Sequence, residues 1–147
     1  MRRVAAGRAD WRRCLDRGDK VDAVRIIVNG EPRPKQSYRA LKSGGGYQPK
    51  RVKDWQDTVA WEAKQAMRGH EPIKGAISVS LVFSMGNNRR TDLDNLSKGT
   101  LDAMRGIVYE DDVQIVDLRI TKRVDKINPG VIIQVSGEAL GMIEEAK

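Results

Sequence analysis

Ile77-Ser78-Val79-Ser80-Leu81-Val82-Phe83-Ser84, followed by Thr91-Asp92-Leu93-Asp94-Asn95-Leu96-Ser97-Lys98, is the stretch on which the fold turns. In its first half, Ile77, Val79, Leu81 and Phe83 alternate with Ser78, Ser80, Val82 and Ser84, which is the period of a half-buried strand. Gly86-Asn87-Asn88 ends that strand. The second half opens a helix expected from about Asp94 to Arg105, with Thr91 or Asp92 near its N-cap and Gly106 as its stop. A strand therefore runs through a short turn into a helix, and the turn carries two carboxylates.

Upstream, Val24 to Val28 is a β-branched strand candidate ended by Asn29-Gly30. A helix is expected after Pro49, because Val52, Trp55, Val59, Ala63, Ala66 and Met67 recur at spacings of three and four. Downstream come a short Ile107-Val108-Tyr109 segment and the acidic turn Glu110-Asp111-Asp112. Val113 to Val124 then reads as a strand with imperfect alternation. Asn128-Pro129-Gly130 reads as a hairpin turn, returning into a last strand from Val131 to Val135. Gly137 to Lys147 reads as a short terminal helix. The order is β-loop-α-β-α-β-β, an α+β domain with a small mixed or antiparallel sheet packed by two helices. Residues 1–21, rich in arginine, are expected to be a loosely attached basic arm, and 22–147 the domain proper.

A chain of 147 residues with 39% apolar and 5% aromatic content supplies one modest core. Charged residues reach 32% and the net charge is +7, which calls for an anionic partner. The single cysteine, Cys14, excludes an intramolecular disulfide, and with one histidine, His70, a thiolate–imidazole zinc site is excluded too. No run approaches the roughly 18 apolar residues of a membrane span. No apolar segment follows the N-terminal arginines as in a secretory signal. The cytoplasm is the default location.

Glu31 to Gln48 is a long polar stretch in which Pro32 and Pro34 exclude a helix and Gly44-Gly45-Gly46 forms a hinge. From Arg33 to Lys53 the cations are Arg33, Lys35, Arg39, Lys42, Lys50, Arg51 and Lys53, interleaved with Tyr38 and Tyr47. Such a loop is either a solvated surface or an arm whose cations meet phosphates while the tyrosines pack on sugars or bases.

The acids carry the chemistry. Asp92 and Asp94 can converge at the strand-to-helix junction, and Asp111 and Asp112 sit at the mouth of a later strand. If that strand lies beside the Ile77–Phe83 strand, the two acidic segments are expected to meet at one sheet end. Carboxylates so gathered raise each other's pKa unless a cation is present, and Mg²⁺ suits an all-oxygen set. Lys98 lies one helical turn beyond Asp94, where an ammonium either stabilises a phosphate or makes a plain i,i+4 ion pair. Separately, each acidic segment reads as an N-cap or a polar turn. Together, in a basic chain, they point to a metal-dependent enzyme acting on a phosphate backbone.

Four further blocks accompany Thr91–Lys98: Leu101-Asp102-Ala103-Met104, Gly106-Ile107-Val108-Tyr109-Glu110-Asp111-Asp112-Val113-Gln114-Ile115, and upstream Gly30-Glu31-Pro32-Arg33-Pro34-Lys35 and Tyr47-Gln48-Pro49. In order and spacing they resemble the RusA family of Holliday junction resolvases, over residues 22–136. The resemblance implies a homodimeric, Mg²⁺-dependent endonuclease, commonly prophage-encoded, that cuts four-way junction DNA symmetrically in recombination and repair; Mn²⁺ is a possible substitute. It implies catalytic, metal-holding roles for Asp92, Asp94 and Asp112, with Asp111 a further candidate, and a catalytic role for Lys98. DNA contacts are expected from Arg33, Lys35, Lys50, Arg51, Lys53, Arg89 and Arg90. The sequence does not show which face dimerises; Trp55, Trp61 and Met67 on the first helix, or Leu101 and Met104 on the second, are candidates. The rival readings are a less selective nuclease for flaps or branched DNA, and a non-catalytic basic nucleic-acid-binding module.

Overall fold

The computed structural model describes residues 22–35, 39–40, 46–47, 49–88 and 90–137, with 39–40 and 46–47 as backbone. The arm at 1–21, the glycine hinge at 44–45, Arg89 and the terminal helix expected beyond Gly137 lie outside the described residues.

A four-stranded mixed sheet is built from β1 (Ala23–Asn29), β4 (Ile77–Met85), β5 (Ile115–Val124) and β6 (Gly130–Ser136). Its strand order is β1-β6-β4-β5. β6 runs antiparallel to both β1 and β4, whereas β4 and β5 are parallel. Two-residue strands β2 (Arg39–Ala40) and β3 (Gly46–Tyr47) pair separately within the polar stretch. Helices α1 (Lys50–Met67) and α2 (Leu93–Met104) pack on each other, α1 also against β1 and α2 against β5. The α+β reading and its two helices stand.

Each element follows from its pattern. β4 turns Ile77, Val79, Leu81 and Phe83 into the core, all but excluded from solvent. α1 buries Val52, Trp55, Val59, Ala63 and Met67, a stripe at spacings of three and four. Pro49 opens it with fixed φ, and Arg68 ends it in the left-handed region, with Gly69 following at φ 80°. Asp92 caps α2, its carboxylate accepting from the Asp94 amide at 3.0 Å.

Three expectations change. Asn128-Pro129-Gly130 is not a hairpin turn, because β6 does not pair with β5. The connection passes the end of β4, where the Asp125 amide donates to the Met85 carbonyl at 2.8 Å, and β6 inserts between β1 and β4. The side chains decide this: β6 buries most of its residues, while β5 carries Arg119, Lys122 and Arg123, which need solvent and suit an edge. Ile115, not Val113, begins β5; Val113 lies in a 3₁₀ turn (Asp112–Gln114) and is exposed. Trp55, Met67, Leu101 and Met104 belong to the chain's own core, so of the candidates for a dimer face only Trp61, 62% accessible, is presented outward.

Candidate active site

The turn between β4 and α2 is held from several sides. Glu31 accepts from the Gly86 amide at 2.8 Å and from the Asn87 side chain at 3.1 Å. The Lys35 amide donates to the Asn95 carbonyl at 2.9 Å. On the helix, the Asp92 carboxylate binds the Asp94 amide and, more loosely, the Asn95 side chain at 3.4 Å. Asp94 pairs with Lys98 at 3.0 Å across one turn, both side chains largely exposed. The hydrogen bond and charge of Asp94, helped by Asp92, raise the Lys98 pKa above its usual 10.5, so the residue remains an ammonium at neutral pH.

The second acidic segment lies elsewhere. β5 does lie beside β4, but the pairing is parallel with Ile77 opposite Ile115, so Asp112 stands at the start of β4 while Asp92 follows its far end. The two acidic segments therefore do not meet at one sheet end. α2 spans the interval between them. Asp112 approaches Arg105, just beyond the C-terminal end of α2, at 3.8 Å. It also lines a groove of about 340 Å³ between α2 and β5, together with Lys98, Asp102 and Asp117. Lys98 thus touches both locations: Asp94 at one end, and the groove with Asp112 at the other. One oxygen of Asp112, Oδ1, is buried without a hydrogen-bond partner. Asp111 and Glu110 are exposed turn residues.

Gln114 fixes this acidic turn. Its Oε1 accepts from the Glu110 and Asp111 amides at 2.7 and 2.9 Å. Its Nε2 donates to the Ile73 and Gly75 carbonyls at 2.8 and 2.9 Å. Tyr109, fully buried, donates its hydroxyl to the Leu101 carbonyl at 2.6 Å. Burial, with the nearby charge of Asp112, pushes its pKa far above the ordinary tyrosine value, so it acts as a fixed donor.

The cations divide. Arg33, Arg51 and Arg90 line one cavity of about 270 Å³ with Glu31 and Thr91, directly beside Asp92. Lys50 and Lys53 lie exposed on the first turn of α1. Lys35 instead forms an ion pair with Asp102. Sequence reasoning missed Lys122: from β5 it donates to the Thr91 carbonyl at 2.7 Å. No spacing rule could have found it, because 31 residues separate the pair. Gln114 was visible in the sequence only as part of a block, without a role.

Two carboxylates at the start of α2, with Lys98 one turn on, thus lie between a three-arginine cavity and Lys122. The family model for Endodeoxyribonuclease RusA matches residues 29–136. The crossover junction endodeoxyribonuclease RusA of Aquifex aeolicus is 29% identical over 119 residues, covering 79% of this chain and 93% of that protein. An uncharacterised protein of Bacillus subtilis, YqaN, is 29% identical over 130 residues, covering 69% of this chain and 88% of that one. The chain belongs to the RusA family of endodeoxyribonucleases.

Proposed function

We propose that the chain resolves Holliday junctions as a Mg²⁺-dependent homodimeric endonuclease, with Mn²⁺ as a possible substitute. Membership of the family supports an endonuclease for junction DNA. The observation that carries the assignment of residues is Lys98, which pairs with Asp94 and also lines the groove of Asp112.

Asp92, Asp94 and Asp112 are the proposed metal holders, with Asp111 a further candidate. The donor chemistry fits: all are hard oxygens, and the buried Oδ1 of Asp112 lacks a partner. Their placement does not form one ion's shell: among the described residues no three acidic side chains stand close enough to hold an ion together, with Asp92 and Asp94 at one end of α2 and Asp112 near the other, so donor chemistry alone supports the three as metal holders. When bound, a divalent ion polarises the phosphodiester and lowers the pKa of an attacking water.

The chain's own residues do the rest. Lys98, held as an ammonium, stabilises charge developing on the phosphate. Arg33, Arg51 and Arg90 cradle the backbone beside Asp92, with Lys50 and Lys53 extending the cationic surface. A twofold dimer presents two such sites to a junction of approximately matching symmetry, which paired cuts require.

The test is a synthetic four-way junction incubated with and without Mg²⁺, with cuts mapped on all four strands beside flap and linear duplex controls. Symmetric paired cuts that need the metal are expected. Asp94→Asn should abolish them while junction binding is kept or strengthened, because a negative charge near phosphates is lost. Undiminished cutting by that variant refutes the residue assignment, and equal cutting of flaps refutes the junction selectivity.

A further inference from the structure

The segment Gly30–Lys35 touches the β4–α2 connection at one end and α2 itself at the other. Gly30 adopts φ 120° and its amide donates to the Pro129 carbonyl at 3.0 Å, which sets the segment's direction as it leaves β1. Glu31 then holds Gly86 and Asn87 at the exit of β4. Pro32 is buried. At the far end, the Lys35 amide holds the Asn95 carbonyl in the first turn of α2, and the Lys35 ammonium pairs with Asp102 two turns further along. The segment crosses α2 at Gly99: a Cβ there would stand 3.5 Å from the Lys35 nitrogen and 3.6 Å from the Arg33 carbonyl oxygen. The same helix turn is held from the other side, where the Gln56 side chain donates to the Gly99 carbonyl at 3.2 Å.

Asp92, Asp94 and Lys98 all lie between the Glu31 attachments and Asp102. A lysine committed to a carboxylate is also a poor phosphate ligand, since binding DNA through it requires breaking the pair.

We propose that Lys35 is a positioning residue: by pairing with Asp102 it fastens the Gly30–Lys35 strap across α2 and fixes the orientation of the N-terminal half of that helix, which bears Asp92, Asp94 and Lys98. This rests on the endonuclease reading above and assigns Lys35 a role other than DNA contact. Arg33, which lines the cavity next to Asp92, keeps its place on the DNA side.

The test compares Lys35→Met, Lys35→Arg and the wild type in single-turnover cleavage of a saturating four-way junction, and in metal-free junction binding over a range of salt. Lys35→Met should slow cleavage about tenfold or more through misplacement of the reacting groups. Its junction Kd should stay within about twofold and its salt slope unchanged, because no phosphate contact is lost. Lys35→Arg, which keeps the ion pair, should recover most of the rate. Weakened binding with a salt slope lower by about 1 identifies a direct phosphate contact and overturns the proposal. Unchanged cleavage by Lys35→Met overturns it as well.

Amide hydrogen exchange separates this proposal from the endonuclease reading. Lys35→Met should speed exchange at Asp94 and Leu96 in the first turn of α2, whether or not the wild type cuts junctions. Wild-type exchange there refutes the strap alone. Absence of cutting by the wild type refutes the endonuclease reading alone.

Discussion

Removing the Gln114 side chain should loosen the acidic turn that carries Asp112. The side chain makes four hydrogen bonds, to the amides of Glu110 and Asp111 and to the carbonyls of Ile73 and Gly75. Three are exposed, so water replaces them at small net cost, about 0.5 kcal/mol or less each. The bond to Ile73 is part-buried, and orphaning that carbonyl costs about 1–2 kcal/mol. Gln114→Ala should therefore destabilise the chain by roughly 2 kcal/mol. With a urea slope of about 1–3 kcal/mol per M, the unfolding midpoint falls by about 1 M. The functional effect should exceed the stability effect. At temperatures where the variant remains folded, junction cleavage should drop at least about tenfold, because Asp112 lies only two residues from the lost anchor. Urea unfolding and single-turnover cleavage on the same preparation check both. A variant with a wild-type midpoint and a wild-type rate refutes the account of this turn.

Tyr109→Phe should cost about 1 kcal/mol in urea unfolding, the worth of its bond to Leu101. Since folding raises the Tyr109 pKa above its ordinary 10.0, its contribution is fully present below about pH 10 and is lost at higher pH, where the unfolded chain ionises first. Stability of the wild type should thus decline above about pH 10 more steeply than that of Tyr109→Phe, as pH-dependent unfolding curves will show. Lys122→Met removes a cation anchored beside Asp92; junction binding should weaken and its salt slope fall by about 1 in a salt titration. The glycines split: Gly99→Ala makes only ordinary contacts at 3.5–3.6 Å and should stabilise α2 by about 0.5–1 kcal/mol. Gly130→Ala drives a Cβ into the Val28 carbonyl oxygen and should destabilise by several-fold more, read by thermal melting.

The local elements are legible in the order of residues alone, because each rests on short-range physics. The serine-spaced strand Ile77–Met85, the apolar stripe of α1 and the Asp92 cap of α2 follow from side-chain period and capping chemistry. Spacing also put Lys98 beside Asp94, since four residues make one helical turn. The blocks around Asp92 and Asp112 pointed to the family. The relations between distant segments come instead from long-range packing. Strand order followed from which strands tolerate a neighbour on both edges: β6, apolar along its core face and free of charged side chains, does, and the charged β5 suits an edge. The parallel pairing of β4 with β5 then carried Asp112 to the opposite end from Asp92, a matter of chain direction that the residues at each site do not encode. The same long-range packing gave Lys35 to Asp102 and brought Lys122 to the carbonyl preceding Asp92. A charged side chain's type is written in the sequence, but its partner depends on which surface the fold turns toward it.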